Sequence, residues 1–165
     1  MLNAIKTIAA ISTASGAGGI GVIRISGPLA LELAQKISGG NLKPRIANFH
    51  SFKDLNGSLI DQGLILFFPG PNSFTGDDII EFQCHGGTVV TQSILDLCLR
   101  LGAVLAEPGE FSKRAYLNNK IDLAQAESIA DLINASTLEA AQSAANSLSG
   151  KFSLEINNLL KYLIE

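Results

Sequence analysis

Three charged side chains stand in settings where an ionised group needs a reason. Arg24 lies in the run Val22-Ile23-Arg24-Ile25, Glu81 lies between Ile80 and Phe82, and Lys120 comes just before Asp122 and a run of helix formers. An ion flanked by large apolar residues requires a partner or water. A carboxylate accepts two parallel hydrogen bonds from an amino group and a neighbouring ring N–H, whereas arginine and lysine attract carboxylates. Together Arg24, Glu81 and Lys120 suit an anionic ligand whose other end is a donor-rich ring. Reduced pterins with glutamate tails have that pattern, and so do other ligands of the same design. The bland alternatives are a solvated strand face for Arg24, an edge-strand carboxylate for Glu81 and an ordinary surface lysine at a domain junction for Lys120.

Glu81 belongs to the stretch Phe67–Gly87, FFPGPNSFTGDDIIEFQCHGG. Pro69, Gly70, Pro71 and Gly76 bar a helix through its first half and make a shaped loop. Ile79 to Cys84 then reads as a short buried strand, and Gly86-Gly87 opens a helix. Asp77, Asp78 and His85 imitate an acid/base or metal cluster. Acidic residues beside a glycine are ordinary turn formers, and no second nitrogen or sulfur ligand falls at useful spacing apart from Cys84. No metal site is expected, and no Ser-His-Asp or Cys-His assembly is supported by order or spacing. No catalytic residue is assigned in this stretch of chain.

The elements that must position these residues follow from periodicity. Residues 7–12 and 21–26 read as a strand pair around the glycine-rich turn Ser15 to Gly19. That turn leads into VIRIS rather than a helix and lacks the Lys-Ser or Lys-Thr of a P-loop, so it is not expected to cradle nucleotide phosphates. From Ser26-Gly27-Pro28 a helix starts, with Leu29, Leu33, Ala34 and Ile37 on one face and Gly39-Gly40 as its stop. Residues 47–53 and 58–68 form a second hairpin, turned at Asp54-Leu55-Asn56-Gly57. Residues 87–101 form a helix with Cys98 on its core stripe. Ala103 to Ala106 is a short strand, and Pro108-Gly109 turns the chain into EFSKRAYLNNK. Strands arriving as hairpins with helices between them predict an α+β domain with a mixed sheet, ending near residue 118.

Residues 119–165 change to helix formers. Asp122 is the expected cap of LAQAESIADLIN, and Ser136-Thr137-Leu138-Glu139 matches a capping box. One long helix is expected beyond it, carrying Leu148, Phe152, Ile156, Leu159 and Leu163. Its apolar stripe runs to Glu165, which leads us to expect either a piece of a longer protein, the favoured reading, or a helix that packs on another chain.

Composition narrows the classes. The chain has 165 residues, 47% of them hydrophobic, with a net charge of -3. That is enough for one sizeable core, and it gives no basic footprint for autonomous nucleic-acid binding. The two cysteines, Cys84 and Cys98, have no metal-type spacing and read as reduced thiols. The short apolar run after Lys6 does not make a secretory signal, no stretch reaches membrane-spanning length, and a cytoplasmic location is expected.

Three long motifs carry a family resemblance: GGIGVIRISGP (18–28), DQGLILFFPGPNSFTGDDIIEFQCHGG (61–87) and PGEFSKRAYLNNKIDLAQAESIADLINAS (108–136). Across nearly its whole length the chain resembles the tRNA-modification GTPases of the MnmE, or TrmE, family. The resemblance implies a tetrahydrofolate-binding and dimerising domain over 1–118, similar to the one-carbon domain of the glycine-cleavage T protein, and the first part of a helical domain over 119–165. Residue by residue, the family's folate-binding arginine, glutamate and lysine match Arg24, Glu81 and Lys120.

The family further implies a one-carbon tetrahydrofolate, 5-formyl or 5,10-methylene, that contributes to the C5 substituent of the wobble uridine in tRNA. It implies a homodimer through this domain, an FAD-containing MnmG partner and tRNA as substrate of the complex. GTP, magnesium and potassium belong to the family's GTPase domain, which these residues do not include. Two positions depart from the family's pattern: Ala17 stands where arginine is common, and Cys84 stands where glycine is frequent. The rival readings are a purely structural dimerisation module and a stand-alone folate-dependent one-carbon transferase.

Overall fold

The protein is described by a computed structural model covering residues 6–164, so the expected mid-helix ending at Glu165 lies outside the described residues. The chain packs as two compact units, the first ending at Pro108 and the second beginning at Gly109. This division falls before residue 118, because the helix over Glu110–Leu117 packs on the helix after it.

The first unit is α+β. Its strands are β1 (Ile8–Ile11), β2 (Gly18–Ser26), β3 (Asn48–Lys53), β4 (Leu59–Phe68), β5 (Ile79–Gly86) and β6 (Val104–Leu105), with helices α1 (Ala30–Ser38) and α2 (Thr88–Arg100). They form one six-stranded sheet in the order β3-β4-β5-β2-β1-β6. Every pairing is antiparallel except β1 with β6, so the sheet is mixed, as the hairpin pattern predicts. The turn into β4 is held by Asp54, whose carboxylate accepts from the backbone N–H of Asn56 and of Ser58 at 2.9 and 2.8 Å.

Strand alternation gives the sheet two different faces. On one, the register sets Ile25 opposite Ile80 and sets both Ile23 and Ile65 opposite Phe82. These residues join Leu33 and Ile37 of α1 and Ile94, Leu97 and Cys98 of α2 in a single buried cluster. Phe52 meets Phe82 edge to face at 5.3 Å and 85°. Each large apolar side chain buried there contributes roughly 1.5–3 kcal/mol. The alternate residues, Val22, Arg24, Leu64, Leu66, Glu81 and Gln83, point to the other face and are half-buried. Helix α1 begins at Ala30, later than expected from Pro28, and ahead of it Thr7 Oγ1 accepts from the Leu29 N–H at 2.8 Å.

The second unit is helical: α3 (Glu110–Leu117), α4 (Leu123–Asn134), α5 (Leu138–Leu148) and α6 (Lys151–Ile164). Helix α3 was not expected from EFSKRAYL, although Glu, Lys, Arg, Ala and Leu all favour a helix. Its Glu110 and Arg114 are ion-paired at 2.9 Å, one turn apart. Asp122 caps α4 as predicted. Its carboxylate accepts from Gln125 N–H at 2.8 Å while the Gln125 side chain accepts from Asp122 N–H at 3.0 Å. The cap of α5 is Thr137 rather than Ser136, its hydroxyl accepting from Ala140 N–H at 3.1 Å. The single long helix expected beyond it is two helices. Gly150, at φ 82°, takes a left-handed conformation that ends α5 and starts α6, and a continuous apolar stripe does not reveal that break.

Candidate functional site

Arg24 and Glu81 sit directly opposite each other on β2 and β5, the two central strands of the sheet. The Arg24 guanidinium donates through Nε to Glu81 Oε1 at 2.8 Å, and its Nη2 lies 2.7 Å from the same oxygen. Their side chains are 32% and 17% exposed, which answers the demand that Glu81 find a partner while leaving both reachable. Both of these contacts fall on Oε1, and a carboxylate with two oxygens has further lone pairs with which to accept from a ligand.

The pair forms the floor of a cavity of about 260 Å³. Phe68 at the end of β4, Phe74 in the following loop and Ile79 at the start of β5 make its apolar walls. That volume lies at or below the roughly 300 Å³ at which pockets begin to enclose a whole drug-sized ligand. It takes a flat ring rather than a long molecule.

The breaker-rich loop 69–78 holds the walls in place through hydrogen bonds of its own. Thr75 is fully buried, and its hydroxyl is 2.7 Å from that of Ser26 on β2. Asp78 accepts at Oδ1 from the Gly70 N–H at 2.8 Å, and its carbonyl accepts from Gly27 N–H at 3.0 Å. The Ser73 hydroxyl donates to the Asp77 carbonyl. Asp77 and Asp78 thus serve loop shape.

His85 lies outside this cavity. Asp61 of β4 accepts from its backbone N–H at 2.8 Å and meets its ring Nδ1 at 2.8 Å. Burial pushes the Asp61 carboxyl up, but the two bonds from His85 and the Gln62 N–H outweigh it and hold the group below the ordinary carboxylate range. Burial raises the Cys84 thiol to about 11 and the Cys98 thiol to about 12, so neither is a ready nucleophile. Among the described residues no three His, Cys, Asp or Glu side chains gather as metal ligands, and no helix is long and apolar enough to cross a membrane.

Of the three predicted ligand residues, the structure thus joins two. Lys120 belongs to the second unit, in the turn after α3, where its backbone N–H donates to the Ala115 carbonyl at 2.8 Å. One residue of the cavity was not anticipated. Arg45, in the connection between α1 and β3, lines it beside Arg24. Its only signal in the sequence is a basic residue after a proline, with no apolar frame to single it out.

The geometry can be set beside known proteins. Residues 7–120 match the family model described as GTP-binding protein TrmE N-terminus. The chain is 57% identical over 159 residues to the tRNA modification GTPase MnmE of Pseudomonas syringae pv. syringae, covering 96% of this chain and 35% of that protein. It is 60% identical over 159 residues to the protein of the same name from Chromobacterium violaceum, with the same coverage. With that of Pseudomonas paraeruginosa it shares 56% over 164 residues, 99% of this chain and 36% of the relative. The chain therefore spans about a third of the length of the curated relatives it matches. On the family match and these identities, the chain belongs to the TrmE N-terminal family.

Proposed function

We propose that the first unit binds a reduced folate, with the pterin ring in the cavity over Arg24 and Glu81. The observation that carries this reading is the half-buried carboxylate paired through one oxygen on the floor of a ring-sized slot walled by Phe68 and Phe74. Glu81 accepts from the ring's amino group and adjacent N–H, Arg24 fixes the carboxylate's orientation and balances its charge, and the phenylalanines exclude water from the ring faces. The donor set fits the ligand: an acceptor for the ring, apolar faces for its planes and cations for its carboxylates. The bound tetrahydrofolate would supply a one-carbon unit. Lys120 is the third ligand residue in this reading, and the classification with the one-carbon domain of the glycine-cleavage T protein goes with it.

In the whole protein this activity serves tRNA modification at the C5 position of the wobble uridine. GTP hydrolysis with magnesium and potassium, the FAD-containing MnmG partner, tRNA as substrate and a cytoplasmic location all belong to that longer assembly. Support comes from the relatives' description as tRNA modification GTPases. We also propose a homodimer through the first unit. Ile20 and Phe49, each 66% exposed, flank a shallow apolar depression over Gly63 and favour a partner there.

Calorimetric titration of the chain with 5-formyltetrahydrofolate tests the folate reading. Saturable binding at sub-millimolar ligand is expected. A folded, dimeric protein that gives no heat and no fluorescence change would reduce the first unit to a structural dimerisation module.

A further inference from the structure

Within the cavity, charge is not evenly spread. Arg24 and Glu81 are half-buried and paired with each other, whereas Arg45 is exposed and lines the same cavity. Among the residues that line the cavity, Arg45 is therefore the charge left over beside that pair.

Arg45 is also held in position before any ligand arrives. Its backbone N–H donates to the Phe67 carbonyl at 2.8 Å, and its guanidinium Nη2 donates to the Asn72 carbonyl. Both anchors belong to the segment that leads from β4 into the cavity's loop. Its backbone takes φ 60°, a left-handed conformation that residues with side chains seldom adopt. A guanidinium with five N–H donors keeps further donors for a carboxylate after one is spent on Asn72.

We propose that Arg45 is the tail-binding residue of the site: it takes the carboxylates of the ligand's glutamate tail at the mouth of the slot, and so selects tailed over tail-less pterins. This rests on the folate reading above. The inference assigns Arg24 to the ring end through Glu81 and gives the first unit its own tail anchor. The small volume agrees, since about 260 Å³ is too little for ring and tail together, and Arg45 is the exposed charge of the lining.

The test compares two probes on the intact chain: 5-formyltetrahydrofolate, and its pteroyl amide analogue, in which a neutral carboxamide replaces the glutamate so that no carboxylate remains. Wild type should bind the tailed probe at least tenfold more tightly. Arg45→Gln should lose that preference, weakening the tailed probe about tenfold or more while leaving the tail-less one within twofold, and Arg45→Lys should restore part of it. Equal weakening of both probes would mean that Arg45 only shapes the loop through Asn72, and that overturns the proposal. So does an unchanged preference in a folded Arg45→Gln protein, or a wild type that binds both probes alike. Failure of wild type to bind either probe would instead remove the folate reading itself.

Discussion

The two faces of the sheet in the first unit are made by the same strands, one residue out of step, and they do different work. On the face with Ile23, Ile25, Ile80 and Phe82, every side chain is under 2% exposed and belongs to a buried cluster shared with α1 and α2. On the other face, Arg24 and Glu81 occupy the rung between those of Ile23–Phe82 and Ile25–Ile80, half-open and ion-paired. The first face holds the fold together, because burial is where free energy is gained. The second face can afford charge because the first supplies the stability. The division also places the proposed ligand site on the two central strands, β2 and β5, rather than on a loop alone.

Substitutions can break or sharpen this contrast. Phe82→Ala on the core face should cost about 3–5 kcal/mol in denaturant unfolding, since it removes a fully buried ring and its edge contact with Phe52. Leu66→Ala, on the other face and opposite Glu81, should cost less, about 1–2 kcal/mol, because Leu66 is only half-buried. If the two losses were equal, the faces would not differ in the way described.

The smallest effect lies at the end of the β4–β5 ladder, at Asp61. Its carboxyl is held below its ordinary value of 3.8, so the folded state binds that proton less readily than the unfolded chain. The stabilisation is fully present above the ordinary value and is lost as pH falls through the lower folded one. Wild type should therefore lose stability more steeply than Asp61→Asn from about pH 5 to about pH 3, as read from denaturation midpoints. Parallel pH profiles would show that the bonds to His85 add nothing.

Much of this was legible because strands have a period of two. The run VIRIS places Arg24 opposite its neighbours, IIEF does the same for Glu81, and the hairpins predict a mixed sheet. The Arg24–Glu81 contact was not legible, since it depends on the pairing of β2 with β5 across 57 residues. Nothing local to either residue encodes that register. Arg45 was hidden for a related reason: its importance comes from a loop closing onto Phe67 and Asn72, and Lys43-Pro44-Arg45 alone looks like any solvated turn. In the second unit, the apolar stripe from Leu148 to Leu163 spoke for one helix. Gly150 cut it in two because glycine reaches φ 82° without a steric cost.

The central claim, that the open face is a ligand site rather than a decorative ion pair, is tested most directly by Glu81→Gln. Affinity for 5-formyltetrahydrofolate and stability are measured on the same sample. The exchange keeps shape and an acceptor oxygen while removing charge, so unfolding free energy should change by only about 1–2 kcal/mol for this half-buried pair. Affinity should fall about ten- to hundredfold, the worth of one charge-assisted hydrogen bond of roughly 1.5–3 kcal/mol. A folded Glu81→Gln protein that binds the folate as tightly as wild type would contradict the account and leave the pair a purely structural feature of the sheet.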